Sequence, residues 1–265
     1  MLNKSELIQA LSDGDVQTLT EANEIDPSLA ADDDVVSAAS RAAKNVVWHR
    51  PDYRATLARA CALGVKCDLW TVARAGLVDE VKRLLADDES LLNASNKQGR
   101  TALQEAALVY GACKECEEVV DLLLEQGAHV DVFTAATFCI PDAVKSEIER
   151  DPKVVAERCQ GSTALNWAVR PRRNQDSAPE ICRLLLTAGA DVHDRDEYES
   201  GMTPLHHAAE WGPKVCLEIV DLLLDSGADL NEKDDQGWTA LDYAQDRNRA
   251  EMIQHLTKLG AVSAR

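Results

Sequence analysis

Residues 201–231 read GMTPLHHAAEWGPKVCLEIVDLLLDSGADLN, and this stretch decides the fold. The Thr203-Pro204 pair starts a helix, because proline is tolerated only in the first helical turn. A Gly-Pro break at residues 212–213 ends that helix. A second, apolar helix over residues 219–224 then stops at Gly227, a residue suited to the left-handed turn that follows a helix. The stretch predicts two short helices joined by a turn.

The same pattern recurs along the chain. Residues 238–241 (WTAL) restart it after the turn-rich run 234–237 (DDQG). A segment of the form Asp-x-x-Leu or Asp-x-x-Val begins at residues 26, 88 and 151, at spacings of 62 and 63 residues. A fixed period of this kind indicates a stacked repeat architecture rather than separate globular domains.

The stretch resembles an ankyrin repeat, because its TPLH-x-AA, LL-x-x-GAD-x-N and D-x-x-G-x-T elements are all present at the expected spacing. The resemblance implies an all-α solenoid of helix–turn–helix repeats, in which the 62–63 residue spacing is a pair of repeats. We expect a single array over residues 1–265, with two degenerate repeats in 1–68, central repeats in 69–236 and a capping repeat in 237–265. The eight repeats are 1–33, 34–68, 69–98, 99–131, 132–160, 161–200, 201–236 and 237–265.

Two departures from the family pattern are informative. The third and fifth repeats follow Asp68 and Asp131 directly, with no Asp-x-x-Gly turn, so their finger hairpins should be short or absent. Extra residues between the two helices of a repeat occur near 110–114, 171–176 and 212–214. Insertions in repeat arrays collect on one face, which is often the binding face.

The composition is strongly acidic, with 46 acidic and 28 basic residues and a net charge of −18. Such a surface repels phosphate backbones and anionic lipid, so we expect neither nucleic acid nor membrane as partner. No secretory or membrane-spanning segment is recognisable. We therefore expect a cytoplasmic monomer whose eight cysteines are free thiols.

The motifs contain no catalytic signature and no glycine-rich phosphate loop, so we expect neither enzymatic activity nor a cofactor. Cys113 and Cys116 have the spacing of a zinc knuckle, but no second pair lies at a matching distance, which favours an ordinary loop over a metal site. Residues 194–199 (DRDEYE) indicate a solvated finger, with cation binding as the alternative. The resemblance implies that His206 is structural and binds the turn of an adjacent repeat.

The arginine cluster of residues 170–173 (RPRR) lies in an insertion of an otherwise acidic chain. It is either a solvated loop or a contact for an acidic peptide or phosphate group. Trp70 and Trp167 lie within helices, where packing in the core is expected.

Trp211 and Trp238 differ, because the resemblance places them at an inner-helix end and in a finger, facing the concave groove. They either contact a partner or pack on the neighbouring finger. We expect one concave surface lined by Arg100, Met202, Glu210, Trp211, Asp235 and Trp238, with Arg170, Arg172 and Arg173 at its edge.

These observations favour a non-catalytic scaffold that binds another protein through the concave face. The alternative is an enzyme or small-ligand-binding protein whose site is built from the inter-helix insertions.

Overall fold

The structure is a computed structural model that describes residues 2–22, 24–45, 51–111, 113–211 and 214–265. The chain divides into two compact units, Met1–His129 and Val130–Arg265. The single array inferred from the sequence stays a prediction, and the two units are described in turn.

Every regular element of the described residues is helical. The first unit contains α1 (Lys4–Asp13), α2 (Val16–Glu21), α3 (Asp33–Asn45), α4 (Pro51–Ala62), α5 (Leu69–Arg74), α6 (Val78–Asp87), α7 (Ala102–Ala107) and α8 (Lys114–Glu125). The second unit contains α9 (Val132–Phe138), α10 (Pro141–Arg150), α11 (Ala164–Ala168), α12 (Ala178–Thr187), α13 (Pro204–Trp211), α14 (Val215–Asp225), α15 (Ala240–Asp246) and α16 (Ala250–Leu259). Across those residues extended pairing is limited to isolated bridges, so the prediction of an all-α fold is confirmed.

The helices stack in two layers within each unit. In the second unit α9, α11, α13 and α15 pack in that order, and α10, α12 and α14 pack in a parallel row. Each odd-numbered helix also packs on the even-numbered helix that follows it, and the first unit shows the same pairing. Alanines make the close approach possible, since Ala135, Ala168 and Ala208 are completely buried on α9, α11 and α13. Each helix pair therefore buries its apolar face against its neighbours in the stack.

The first turns of the odd-numbered helices show why the fingers differ. Thr101 and Thr239 cap α7 and α15 through capping boxes. An Asp-x-x-Gly turn (residues 234–237) precedes Thr239, and the corresponding Asn-x-x-Gly turn (residues 96–99) precedes Thr101. Asp68 and Asp131 instead cap α5 and α9 directly, each accepting a 2.7 Å hydrogen bond from a backbone N–H of the first turn. The prediction of short or absent fingers at these two repeats is confirmed.

His206 joins two successive repeats of the second unit. Its Nδ1 accepts from the backbone N–H of Thr203 at 3.1 Å, and its Nε2 donates to the carbonyl oxygens of Glu232 and Trp238 at 3.0 and 3.1 Å. The structural role predicted for His206 is confirmed.

One expectation about the cysteines needs correction. Cys113 and Cys116 are joined by a disulfide, with their Cα atoms 5.2 Å apart. Cys113 caps α8 and Cys116 lies in its first turn, so the helix itself brings the two sulfurs together. The other six cysteines form no disulfide in the part of the chain that the structure describes. None of the helices there has both the length and the apolar character needed to cross a membrane.

Candidate functional site

The second unit contains a cavity of about 290 Å³ whose walls are rich in arginine and tryptophan. We call it the arginine pocket, and its lining residues are Trp167, Arg170, Arg172, Glu210, Trp211, Arg247 and Arg249. These residues come from three successive helix pairs. In each pair they lie at or just beyond the end of the odd-numbered helix, where the chain turns towards the outer layer.

Arg170 is held firmly on one wall of the pocket. Its guanidinium lies 5.1 Å from the centre of the Trp167 ring, and its Nη1 donates to Glu199 Oε1 at 2.9 Å. Its Nε donates to the carbonyl oxygen of Asn166 at 3.1 Å, and only 13% of the side chain is exposed. A guanidinium fixed in this way keeps its orientation when a ligand arrives.

Arg247 and Arg249 form the opposite wall with Glu210. Arg247 donates twice to Glu210 Oε1, from Nη2 at 2.5 Å and from Nε at 3.1 Å. Arg249 donates from Nε to the main-chain oxygen of Glu210 at 3.2 Å. Among the described residues Arg249 makes no ion pair. On this wall the Glu210 carboxylate therefore pairs with Arg247, while Arg249 is held by the main chain.

Arg172 comes from the insertion between α11 and α12, and that loop is anchored. The backbone N–H of Arg172 donates to the carbonyl oxygen of Thr137 at 3.0 Å, and Asn174 Nδ2 donates to that of Phe138 at 3.3 Å. Burial, and next the positive charge of Arg170, lower the pKa of Arg172 from its ordinary value. The pocket thus crowds like charges, which makes it receptive to an anion.

A buried polar network lies behind the pocket. The His207 side chain is 0% exposed, and its Nε2 lies 3.5 Å from Asp196 Oδ2, beyond hydrogen-bond length. Neither ring nitrogen forms a hydrogen bond within the described residues. Burial, followed by the charge of Arg170, lowers the pKa of His207, so the imidazole is neutral. Burial acts to raise the pKa of Asp196, but the Ser162 hydroxyl and the backbone N–H of Tyr198 both donate to its carboxylate and hold that pKa below its usual range.

Glu199, His207 and Glu210 offer donor atoms within 4.8 Å of one another, a set that suits a divalent cation by donor type. Both carboxylates, however, already accept hydrogen bonds from guanidinium groups, Glu199 from Arg170 and Glu210 from Arg247. A cation at this point would meet two fixed positive charges next to its ligands, and like charges repel strongly at such distances. The arrangement favours an anion over a metal ion here.

The pocket joins four of the residues predicted from the sequence, namely Arg170, Arg172, Glu210 and Trp211. Trp238 is half-buried instead, because its ring packs on Tyr243 at 5.0 Å and the Arg265 guanidinium lies 3.5 Å above it. Asp235 is exposed and pairs with Arg195 at 3.1 Å.

The remaining predicted residues lie elsewhere. Met202 is only 4% exposed, which corrects the expectation that it lines a surface. Its main-chain oxygen accepts from the backbone N–H of Asp196, so it closes the finger from inside. Arg173 is half-buried outside the pocket lining. Arg100 belongs to the first unit, where its Nε donates to Glu105 Oε1 at 2.7 Å.

Sequence reasoning missed Arg247 and Arg249, and it assigned Trp167 to the core. Trp167 packs against the core but also forms a wall of the pocket, and its Nε1 donates to the carbonyl oxygen of Cys159 at 3.3 Å. The usable signal is positional: Arg247 and Arg249 follow α15 much as Arg170 and Arg172 follow α11. Trp70 of the first unit is half-buried, with Nε1 donating to the carbonyl oxygen of Ala94 at 3.2 Å.

Comparison with known families agrees with this architecture. Residues 172–263 match the family model for ankyrin repeats in three copies, and residues 98–135 match the model for a single ankyrin repeat. The chain contains ankyrin repeats. The resemblance noted from the sequence is confirmed. Ankyrin repeats are in general protein–protein interaction modules, and ankyrin-repeat proteins are typically non-catalytic.

Proposed function

We propose that this ankyrin-repeat protein is a non-catalytic scaffold that binds another protein through the surface around the arginine pocket. In this proposal the protein is a cytoplasmic monomer, and the pocket lies on the concave binding face expected for ankyrin repeats. The general role of ankyrin repeats supports protein binding, and the pocket supports this choice of surface.

One observation carries the choice of surface. Trp211 and four arginines meet in one cavity at the ends of three inner helices, although the chain is acidic overall. Tryptophan and arginine are the residue types that dominate binding energy at protein interfaces. A stacked scaffold also holds them in place beforehand, which reduces the ordering cost of association.

The second candidate, an enzyme or small-ligand protein, is less well supported by the same cavity. A volume of about 290 Å³ is at the lower limit for a site that encloses a drug-sized molecule, roughly 300–1,000 Å³. Among the inter-helix insertions, the one that contains Arg172 contributes a residue to the lining of the arginine pocket. The pocket therefore suits one chemical group of a larger partner better than a whole small molecule.

The test compares Trp211→Ala with a control variant in affinity purification from the native host. Truncation of a central tryptophan commonly costs about 2 kcal/mol or more, which is roughly a 30-fold loss of affinity. Tyr198→Ala removes an aromatic ring that is 76% exposed and outside the pocket, and it should retain the partner.

Circular dichroism and a thermal melt accompany both variants. The proposal fails if folded Trp211→Ala captures every protein that the parent captures at full strength. If Trp211→Ala melts far below the parent, Trp211 belongs to the core and the surface is misplaced. Fractionation of host cells tests the cytoplasmic location, and light scattering tests the monomer.

A further inference from the structure

We propose that the arginine pocket is a binding site for a phosphate group, carried on a phosphorylated side chain of the partner protein. That a partner protein carries the phosphate group rests on the proposed function. That the ligand is a phosphate group rests on the pocket alone.

Local charge points to an anion. The chain has a net charge of −18, yet the charged side chains among the described residues that line this cavity are four arginines and one carboxylate, Glu210. Arg170 also pairs with Glu199 at 2.9 Å and lies 3.7 Å from the buried Asp196. Arg249 makes no ion pair with any described residue. Four guanidinium groups against the carboxylates of Glu210, Glu199 and Asp196 leave a net positive charge at the pocket, and this charge favours an anion.

The donors of the pocket are held in place before a ligand binds. Arg170 is fixed by Trp167 and Glu199, Arg247 by Glu210, and Arg249 by the main chain of Glu210. The loop that carries Arg172 is tied to the end of α9 by hydrogen bonds from residues 172 and 174. Planar, rigid donors of this kind recognise oxyanions bidentately, and little ordering remains to be done on binding.

The number of guanidinium groups favours a phosphate group over a carboxylate as the ligand. Glu210 already supplies one carboxylate to Arg247, and Arg249 makes no ion pair with any described residue. A phosphate monoester brings close to two negative charges and three acceptor oxygens at neutral pH, so it can serve several guanidinium groups at once. A carboxylate brings one charge and two oxygens. The number of arginines therefore matches the dianion better.

The tryptophan walls of the pocket favour a phosphate group that is attached to a side chain. Trp167 and Trp211 add apolar surface beside the guanidinium groups, which favours a ligand with a carbon portion over a fully hydrated ion. The cavity of about 290 Å³ has room for a phosphorylated serine or threonine side chain, while the peptide main chain would lie outside.

The experiment titrates the full-length protein with four probes at constant low ionic strength, using isothermal calorimetry. The probes are inorganic phosphate and capped alanine-x-alanine tripeptides in which x is phosphoserine, serine or glutamate. We expect inorganic phosphate to bind with a dissociation constant on the order of 1 mM, and the phosphoserine peptide to bind more tightly. The serine and glutamate peptides should bind at least about tenfold more weakly than the phosphoserine peptide.

Variants locate the binding. Arg249→Gln and Arg172→Gln should each weaken phosphoserine-peptide binding by at least about tenfold, because each removes a charge-assisted hydrogen bond. Arg183→Gln is the matched control, since Arg183 is 57% exposed on α12 and lies outside the pocket. It should leave affinity unchanged. Circular dichroism shows whether each variant is folded, and Arg249 is exposed enough that its replacement should not affect folding.

Three results would overturn the proposal: no binding of either phosphate probe, a glutamate peptide that binds as tightly as the phosphoserine peptide, or unchanged affinity in folded Arg249→Gln. Equal affinity for inorganic phosphate and the phosphoserine peptide would overturn the assignment of the carrier. Partner capture that depends on Trp211 but survives phosphatase treatment would leave the proposed function standing and contradict this inference alone.

Discussion

The buried carboxylate of Glu105 should be a main source of stability in the first unit. Glu105 is 4% exposed, and its two oxygens accept from three side chains. Arg74 Nη1 lies at 2.8 Å, Arg100 Nε at 2.7 Å and Asn96 Nδ2 at 3.0 Å. Glu105→Ala leaves two guanidinium groups, 17% and 21% exposed, without their shared carboxylate.

Breaking a fully buried ion pair from one side costs about 3–5 kcal/mol. The two arginines keep some contact with water, so we expect the lower end, about 3 kcal/mol. If the free energy of unfolding falls by about 2–3 kcal/mol per molar of urea, this loss should lower the midpoint urea concentration by about 1 M. The assay is urea unfolding of the full chain followed by far-UV circular dichroism at pH 7.

Glu80→Ala is the control, because it also removes one carboxylate from an ion pair of the first unit. Its partner Arg83 is 55% exposed, so the loss should be at most about 1 kcal/mol. Burial acts to raise the pKa of Glu105, but the bonds from Arg74 and Arg100 outweigh it, so this pKa lies below 4.5. The stabilisation is thus present above pH 4.5, and the parent should lose its advantage over Glu105→Ala as the pH falls further. Equal losses for Glu105→Ala and Glu80→Ala would refute the reasoning.

Further predictions concern the second unit and metal binding. Burial lowers the pKa of His207 below 6.5, so the unfolded chain binds a proton that the folded chain excludes, and stability falls as the pH drops below 6.5. His207→Leu should make the free energy of unfolding fall less steeply with decreasing pH, by at most about 1.4 kcal/mol per pH unit. Thermal melts from pH 7 to 5 measure this, and an unchanged pH dependence would contradict the prediction. At Gly161 a Cβ would lie 2.9 Å from Glu197 Cβ, an atom held by the main chain, whereas at Gly237 it would meet nothing within 4 Å, and the two φ angles are similar at 74° and 81°. Gly161→Ala should therefore be less stable than Gly237→Ala by about 1 kcal/mol or more, and equal urea midpoints would show that the finger yields freely. Zinc and chelators should each leave the melting temperature unchanged, and a shift of several degrees would reveal a metal site.

Much of the architecture could be predicted because its signals are local. Thr203-Pro204, the stop at Gly227 and the caps Asp68 and Asp131 act within one or two turns of backbone, and the structure places helix starts and ends accordingly. The role of His206 was implied by the family resemblance, and its hydrogen bonds do go to an adjacent turn, at the main-chain oxygens of Glu232 and Trp238.

The candidate site was less predictable because it depends on side chains from three repeats meeting in space. Arg170, Arg172, Glu210 and Trp211 were named from the sequence, but Arg247 and Arg249 were not, because the only mark they carry is their position after α15, which gains meaning once the repeats are stacked. The exposure of side chains was also predicted wrongly in one case, because Met202 is buried.

The sequence by itself therefore determined the repeat family, the helix pairs and their caps, all of which follow from backbone conformations set by neighbouring residues. Only the tertiary structure decided that Trp238 is covered by Tyr243 and Arg265, and that the end of α15 completes the arginine pocket. The physical reason is that burial and ion pairing depend on what the adjacent repeat presents, and a local pattern carries no information about that neighbour.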